Sequence, residues 1–293
     1  MTDISLRFVV LALCLGALVS VGSASTLALF VDSHQGSGSF TAANSFGGGG
    51  GGGSDPPGKK AYNDADGDGE WDSNEATYTE QDLYNFQDTN VDLVIPSDVG
   101  DVKAKNRQID INANSITTEV GFDADNGVSV TATGGDVTLN GNAVTAKNGG
   151  VKVTAAGTVS ADRSKIRGPT GDVVIRGETV SLRQADVKSK NNDVIIAATE
   201  GTGGTLDATD SSIEASTGTV SLESVGDVYL DSAKVRSKNG GATADLGTTS
   251  ATLHVDGAEI DDNNQILAYD PDGIAVDGSP KKGCVAPTDG SCS

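Results

Sequence analysis

A repeat of about 22 residues runs through the C-terminal two thirds of this 293-residue chain. When the chain is aligned on the first apolar residue after each turn, successive anchors lie 19 to 26 residues apart. A second apolar residue follows two positions later, and this alternation indicates a short strand with one buried face. The anchors are Ile109, Val128, Val151, Val173, Val194, Val220, Ala242 and Ile266.

A Gly or Asn stands two positions before each anchor except the first, where Arg107 takes its place. Because Gly and Asn tolerate positive φ, we expect the same left-handed corner to recur in every repeat. The corner residues are Asn126, Gly149, Gly171, Asn192, Gly218, Gly240 and Asn264. One position earlier the chain has Asn in alternation with Asp125, Thr170 and Thr217, and stacked side chains there could hydrogen-bond from coil to coil as a ladder. The asparagines are Asn106, Asn148, Asn191, Asn239 and Asn263.

Two further strand-like pieces follow the first in each repeat, as in residues 179–182 and 186–189. Three short strands in about 22 residues predict an all-β fold, a single-stranded parallel β-helix with coils about 4.8 Å apart. We expect it over residues 99–279, with about 7–8 coils. On that spacing the rod would be roughly 35 Å tall.

Lysine recurs in every second repeat, at Lys105, Lys147, Lys190 and Lys238. Like charges stacked directly would repel, so alternate placement keeps them about two coil spacings apart. The pattern favours charge spacing for stability, with a functional basic stripe as the alternative.

The charge of the chain restricts its partners. Its 41 acidic and 20 basic residues give a net charge of −21, which repels phosphate backbones and excludes nucleic acid as a partner. The same imbalance resembles proteins of extreme halophiles, whose carboxylates keep them soluble in molar salt; a generic acidic surface is the alternative. With one Trp and two His, the chain is also poor in the residues of an ordinary enzyme.

The N-terminus has the layout of an export signal. An apolar run from Phe8 to Gly22 precedes small residues at 23–25, so we expect a signal peptide over residues 1–24 and an extracellular or cell-surface location. The alternative is a retained anchor, because apolar residues resume after the small ones and Phe8 to Phe30 is long enough to span a bilayer.

Composition separates the rest of the chain into an apolar arm (25–46), a Gly-rich flexible linker (47–60), an acidic loop region (61–88), the repeats, and a tail (280–293). After removal of the signal two cysteines remain, Cys284 and Cys292, and an even pair predicts a disulfide in an oxidising compartment. Metal ligation by the two is the weaker alternative.

One motif is chemically specific. Residues 64–75 match the EF-hand calcium loop at positions 1, 3, 5, 6, 9 and 12, with Gly69 at the sharp turn. Alternating carboxylates can surround a Ca²⁺ ion, and the terminal glutamate can supply two oxygens. The predicted ligands are Asp64, Asp66, Asp68, Glu70, Asp72 and Glu75.

The segments beside this loop indicate its type. Residues 58–63 are a poor helix, whereas Glu75 to Phe86 can form the exiting helix, so the loop resembles the single extracellular calcium loops of dockerin modules. Calcium would then fix the junction between linker and rod. The alternative is a chance acidic loop in an acidic protein.

Residues 15–43 resemble the start of proteins exported through SipW-type signal peptidases, the group that includes camelysin and the fibre protein TasA. The similarity lies in Leu15-Gly-Ala-Leu, residues 22–32 and Gly38-Ser-Phe-Thr-Ala. It implies export, surface residence and assembly, whereas that family's β-sandwich does not continue here. Such fibres resemble donor-strand polymers, and an apolar arm on a hinge suits strand donation; the alternative is the end of an uncleaved anchor. The arm residues are Thr26, Leu27, Leu29, Phe30 and Phe40.

Signal, arm, hinge, calcium loop and repetitive rod together favour a non-enzymatic structural or adhesive surface protein that self-associates into a filament or matrix. Its contacts would be donor-strand or end-to-end, with a cell surface or polysaccharide as a further partner. The alternative is a secreted β-helical polysaccharide lyase or hydrolase, or a carbohydrate-binding module, since that fold also carries such enzymes. We find no residues arranged as a catalytic centre.

Overall fold

The computed structural model describes residues 55–139, 141–199, 201, 203–247, 250–261, 266–269 and 274–287. The chain divides into two compact units, Met1–Gly50 and Gly51–Ser293, and the described residues all belong to the second. They form an all-β solenoid of about nine turns, with parallel strands stacked at a spacing of about 22 residues, which confirms the predicted fold. The signal region and the arm residues Thr26, Leu27, Leu29, Phe30 and Phe40 lie outside the described residues.

The solenoid has three faces, each a stack of parallel strands. The first face contains β3 (Asn85–Ile95), β5 (Ile109–Thr118), β7 (Val128–Ala132), β10 (Val151–Ala155), β13 (Val173–Gly177), β16 (Val194–Ala198), β19 (Val220–Ser224), β22 (Ala242–Leu246), β25 (Ile266–Tyr269) and β27 (Cys284–Pro287). The second contains the far halves of β3 and β5, then β8 (Val137–Thr138), β11 (Thr158–Ser160), β14 (Thr179–Ser181), β17 (Leu206–Asp207), β20 (Val228–Tyr229), β23 (Thr252–His254) and β26 (Ala275–Asp277).

The third face is a separate eight-stranded sheet. Its strands are β4 (Val102–Ala104), β6 (Phe122–Ala124), β9 (Ala143–Ala146), β12 (Lys165–Gly168), β15 (Asp186–Ser189), β18 (Ser212–Ala215), β21 (Lys234–Ser237) and β24 (Glu259–Ile260). The remaining elements are β1 (Ala61–Asn63), β2 (Thr77–Tyr78) and two 3₁₀ helices, Asp82–Tyr84 and Ser97–Val99.

The first coil begins before residue 99 and has no counterpart among the predicted anchors. Strand β3 runs parallel to β5, with Phe86 opposite Ile111, so this segment belongs to the solenoid. The predicted exiting helix from Glu75 to Phe86 is therefore wrong: the chain forms only a 3₁₀ turn at Asp82–Tyr84 before it enters the sheet. The rod also extends beyond the predicted bound of residue 279, because β27, in the predicted tail, pairs parallel with β25. These two additions explain why the rod has about nine turns and not the predicted 7–8.

A small cap covers the start of the first coil. Strand β1 pairs antiparallel with β2 and with the far half of β3, where Tyr62 lies opposite Val94. Ala61 and Leu83 are fully buried in the core that runs through the coils. Burial of a leucine side chain contributes about 2 kcal/mol, so the cap stabilises an end that would otherwise expose apolar surface.

The predicted register is confirmed for seven of the eight anchors, which stack directly on one another from Ile109 to Ala242. The eighth is wrong by one residue, because Leu267, not Ile266, lies opposite Ala242. Leu267 is fully buried and Tyr269 packs against the core. A one-residue slip turns a strand over, and this register places the larger apolar side chains inward.

Among the described residues, the Gly and Asn two positions before the anchors do not adopt the predicted positive φ, and glycine is needed there because of the contact between coils. A Cβ on Gly149 would lie 2.0 Å from the carbonyl oxygen of Asn126, and one on Gly171 would lie 2.3 Å from the backbone nitrogen of Gly150. Comparable contacts surround Gly218 and Gly240. Glycine is required there because the backbones of neighbouring coils touch.

A left-handed corner does recur, but between the second and third faces. Six successive coils have positive φ at this corner, and four of these residues are not glycine. An L-residue in this region is uncommon, so the corner is held by its neighbours in the stack. The six residues are Gly141, Arg163, Gln184, Asp210, Ser232 and Gly257.

The predicted ladder is present in part. The Asp125 carboxylate accepts the Asn106 N–H at 2.7 Å, the Thr217 hydroxyl donates to the Lys190 carbonyl at 3.3 Å, and the Asn239 side chain donates to the Ser216 carbonyl at 3.4 Å.

Aspartates also join the coils at other corners. The Asp136 carboxylate accepts the Thr158 N–H at 2.7 Å, that of Asp193 accepts the Thr219 N–H at 2.7 Å, and Asp227 makes the same bond to a later coil. A carboxylate that accepts a backbone N–H makes a strong, charge-assisted bond.

On the third face several cations pair with a carboxylate of a neighbouring coil, although Arg167 and Lys188 lie opposite each other. Glu214 lies 2.9 Å from the Lys188 nitrogen in the coil before and 3.7 Å from that of Lys238 in the coil after. Lys147 contacts Asp125 at 3.0 Å in the preceding coil. Lys147 and Lys238 therefore gain an opposite charge from a neighbouring coil, whereas Lys105 and Lys190 have no ion pair among the described residues. The stability role of the spacing stays a prediction.

We predict that Gly171→Ala destabilises the rod by about 1–3 kcal/mol, because the new methyl group would overlap backbone atoms that cannot move aside. The matched control is Gly241→Ala, whose added Cβ has no atom within 4 Å and whose φ is not positive. Denaturant unfolding should show a lower midpoint for the first variant only. Equal loss in both variants would contradict close coil contact as the cause.

We predict that Glu214→Gln lowers the free energy of unfolding by about 0.5–1 kcal/mol at neutral pH, discounted for the exposure of its partners. Burial raises the pKa of the Glu214 carboxyl, but the hydrogen bonds from Lys188 and Ser216 outweigh it and lower the pKa. A lowered native pKa means that the stabilisation is present above the unfolded value and is lost as pH falls. The difference from wild type should therefore shrink and vanish as pH falls through the lowered pKa of Glu214, whereas Asp245→Asn should match wild type at neutral pH.

Candidate metal centre

The acidic loop connects the two strands of the N-terminal cap. It begins at Asp64, directly after β1, and its twelfth residue, Glu75, lies just before β2. The Asp64 N–H donates to the Asp92 carbonyl at 2.8 Å, and the Asn63 side chain accepts the Asp92 N–H at 3.0 Å. The base of the loop is thus attached to the first coil of the solenoid.

Three of the six predicted ligands lie together. Asp64, Asp66 and Asp68 each offer a carboxylate oxygen, and these oxygens lie within 4.8 Å of one another. Gly69 has the positive φ expected at the sharp turn, +80°, and Gly67 has +77°. Carboxylate oxygens at this separation are the donors that a hard cation such as Ca²⁺ prefers.

The Asp64 carboxylate is the most enclosed of the three, with 9% of the residue exposed. It accepts the N–H groups of Gly67 at 2.9 Å and Gly69 at 3.1 Å. Burial raises the pKa of Asp64, the two N–H bonds oppose the rise, and the nearby carboxylates of Glu75 and Asp68 add to it. A cation here would offset both the burial and the repulsion.

Glu70, Asp72 and Glu75 lie outside this group of three. Glu75 closes the loop in another way: its two carboxylate oxygens accept the Ala65 N–H at 2.7 Å and the Asp72 N–H at 3.0 Å. The residue at the end of the loop therefore bonds to its beginning, and the predicted two-oxygen ligation by Glu75 stays a prediction.

Two residues that support the loop are absent from the sequence prediction. Tyr62, 3% exposed, donates its hydroxyl to the Gly69 carbonyl at 2.8 Å, and burial raises the pKa of its phenol. Asp92, on β3, accepts bonds from Asn114 at 2.8 Å and Ser115 at 2.6 Å in the next coil. Because Asp92 is far from the loop in sequence, no local motif signals it.

The residues described elsewhere do not converge on a catalytic arrangement. One surface depression, of about 490 Å³, is an open area of the first face that includes Asp110, Lys152 and Val174. On the second face the rings of Tyr229 and His254 stack with centroids 4.4 Å apart, and His254 lies 3.2 Å from Asp277. These contacts join neighbouring coils.

Cys284 lies in β27 and is disulfide-bonded, whereas its predicted partner, Cys292, lies outside the described residues. The pairing of the two stays a prediction.

Comparisons with protein families, with curated proteins and with solved structures found no match to this chain. Among the described residues, no helix has the length and apolar character needed to cross a membrane.

We predict that Ca²⁺ stabilises the protein through the loop. At a free concentration about 100 times the Kd, binding would add about 2.7 kcal/mol, or roughly 5–10 °C in Tm for a domain of this size. Asp68→Asn keeps a side-chain oxygen to accept the Glu70 N–H, a bond of 2.8 Å, but removes the negative charge. The rise in Tm on addition of Ca²⁺ should therefore be reduced by half or more in this variant.

The matched control is Asp245→Asn, the same charge change at an exposed site on the first face, and it should keep the full shift. Calorimetry with calcium and with chelator measures both variants. An unchanged wild-type transition in chelator would contradict a structural ion.

Proposed function

We propose that this chain is a non-enzymatic extracellular structural or adhesive protein, a calcium-clamped rod that self-associates into a filament or matrix. The proposal is supported mainly by the charged and polar side chains that form contacts between neighbouring coils. Glu214 pairs with cations in two coils, Asp193 and Asp227 accept backbone N–H groups, and His254 stacks on Tyr229. Such groups hold a rod together and are not free for chemistry.

Calcium has a structural role in this proposal. Asp64, Asp66 and Asp68 would hold the ion, and the bond from Asp64 N–H to Asp92 would transmit its effect to the first coil. The cap lies between the Gly-rich segment and the rod in the sequence, so a bound ion would stiffen the start of the rod. Extracellular calcium modules bind with Kd values of about 10⁻⁴–10⁻³ M, which suits a permanently calcium-rich exterior.

Assembly would use the apolar arm of one copy and the far end of another. The cap covers the first coil, which makes the last coil, with β26 and β27, the better acceptor among the described residues. Val276 on β26 is 40% exposed, the large apolar side chain that a donated strand could cover. Export and the sign of the net charge fit a surface location.

A carbohydrate-binding role is the second candidate, because Tyr229 and His254 are rings on a solvent-facing sheet. They stack on each other at an interplanar angle of 3°, so each ring has one face covered by the other. Binding of a polysaccharide that is lost in Tyr229→Ala would favour this candidate over a purely structural role.

We predict that electron microscopy of the secreted native protein shows filaments and that deletion of residues 25–46 abolishes them. The matched variant shortens the glycine run at 47–53 but keeps the arm, and it should still assemble. Calcium-dependent melting should be the same in all three proteins, which shows that the rod is intact. Dispersed monomers of the native protein would contradict assembly.

A further inference from the structure

The three faces of the rod differ in the sign of their charge. The third face, taken as its strands with the one residue before and the three residues after each of them and Lys281 and Lys282, has thirteen Lys and Arg against eight Asp and Glu. The second face, taken in the same way with 92–95 and 115–118 as the far halves of β3 and β5, has two Arg against twelve Asp and Glu. A chain of net charge −21 thus presents one basic sheet face.

The basic excess is available for an outside partner. Lys105, Lys165 and Lys190 are exposed and have no ion pair within the part of the chain that the structure describes. The acids of this face are already shared between cations of neighbouring coils: Glu259 lies 3.0 Å from the Lys281 nitrogen and 4.0 Å from that of Lys234. Further negative charge must come from another molecule.

The acidic excess is concentrated in the last four coils of the second face. The four segments there, 205–210, 227–232, 252–257 and 275–279, contain six aspartates and no Lys or Arg. Asp256 and Asp277 are exposed, and the carboxylates of Asp227, Asp207 and Asp231 contribute, after burial, to raising the pKa of Tyr229. The six are Asp207, Asp210, Asp227, Asp231, Asp256 and Asp277.

From this segregation we infer that copies of the rod associate side by side, with the basic third face of one against the acidic second face of the next. The occupant is a second copy because its rows of carboxylates repeat at the same spacing of about 4.8 Å per coil as the rows of cations. The inference rests on the proposed self-association and names its lateral contact. A contact between two different faces leaves each copy with one free face of each kind, so it continues from copy to copy into rings or into sheets and bundles of rods.

The available area is sufficient. The face extends for about nine coil spacings along the rod and about 15 Å along the strand direction, which gives roughly 600 Å² per partner. The total of roughly 1,200 Å² is at the low end of specific interfaces. Charge complementarity mainly sets partner choice and association rate, so the contact is weak and sensitive to salt. The Debye length falls from about 10 Å at 0.1 M to about 3 Å at 1 M, and the pairing falls with it.

The test is sedimentation velocity of the full-length protein at about 0.05 M and 1 M NaCl, which span strong and weak screening. Wild type should associate in low salt and separate in high salt. Lys165→Glu/Lys190→Glu reverses charge on the third face and Asp256→Lys/Asp277→Lys on the second, and each should raise the low-salt Kd at least tenfold. Lys152→Glu/Arg176→Glu, the same change on the first face, should match wild type.

Mixing the two reversed proteins one to one should restore association, because both kinds of opposite-charge contact form between unlike copies. Recovery on mixing excludes misfolding as the cause of the loss. Identical wild-type sedimentation at both salts, or no recovery, would overturn the inference. So would a wild type that stays monomeric yet binds a polyuronate through Lys165 and Lys190, since the basic face would then dock an acidic polymer.

The proposed function has a separate readout. If filaments depend on residues 25–46 but form equally in the charge-reversed variants, the lateral contact is contradicted and the proposed function is supported. Lateral pairing that persists without any filament would do the opposite.

Discussion

The close contact between the backbones of successive coils is the constraint on which the rest of this structure depends. At Gly149, Gly171, Gly218 and Gly240 there is no room for a Cβ, because the neighbouring coil occupies the space. This contact keeps the coils parallel and in register, so a residue on one coil lies directly over its counterpart on the next. Core rows, aspartate bonds and ion pairs all follow from that alignment.

The parts of the fold that could be predicted are those that depend only on the sequence of a single coil. Alternation of apolar residues identifies the buried face of a strand without knowledge of its neighbours, which is why seven anchors from Ile109 to Ala242 stack as expected. The errors concern contacts between coils. Glycine at the corners was interpreted as a sign of positive φ, whereas it is needed because the backbone of the neighbouring coil leaves no room for a Cβ. The choice between Ile266 and Leu267 as the buried anchor depends on the register with the partner strand, which the sequence does not show.

The candidate site divides in the same way. The alternation of Asp64, Asp66 and Asp68 is local, and the loop brings them together as its spacing predicts. Tyr62 on β1 donates its hydroxyl to the loop carbonyl of Gly69, and Asp92 in the first coil accepts the Asp64 N–H. Neither Tyr62 nor Asp92 belongs to the motif. Glu75 belongs to the motif, but its bonds to Ala65 and Asp72 make it a closure of the loop. A local sequence motif can therefore predict metal ligands, whereas the residues that hold the loop in place are brought to it by the fold.

The alternation of charge on the third face has a consequence for how such a rod can change length. Along one row Lys188, Glu214 and Arg236 follow one another in successive coils. Loss of the middle coil alone would place lysine beside arginine, whereas loss of the two coils that carry Glu214 and Arg236 would leave Lys188 beside Asp261, which contacts Arg236 from the following coil at 3.1 Å. In this part of the rod, deletion and duplication should therefore be tolerated best in pairs of coils, which would change its height by steps of about 10 Å.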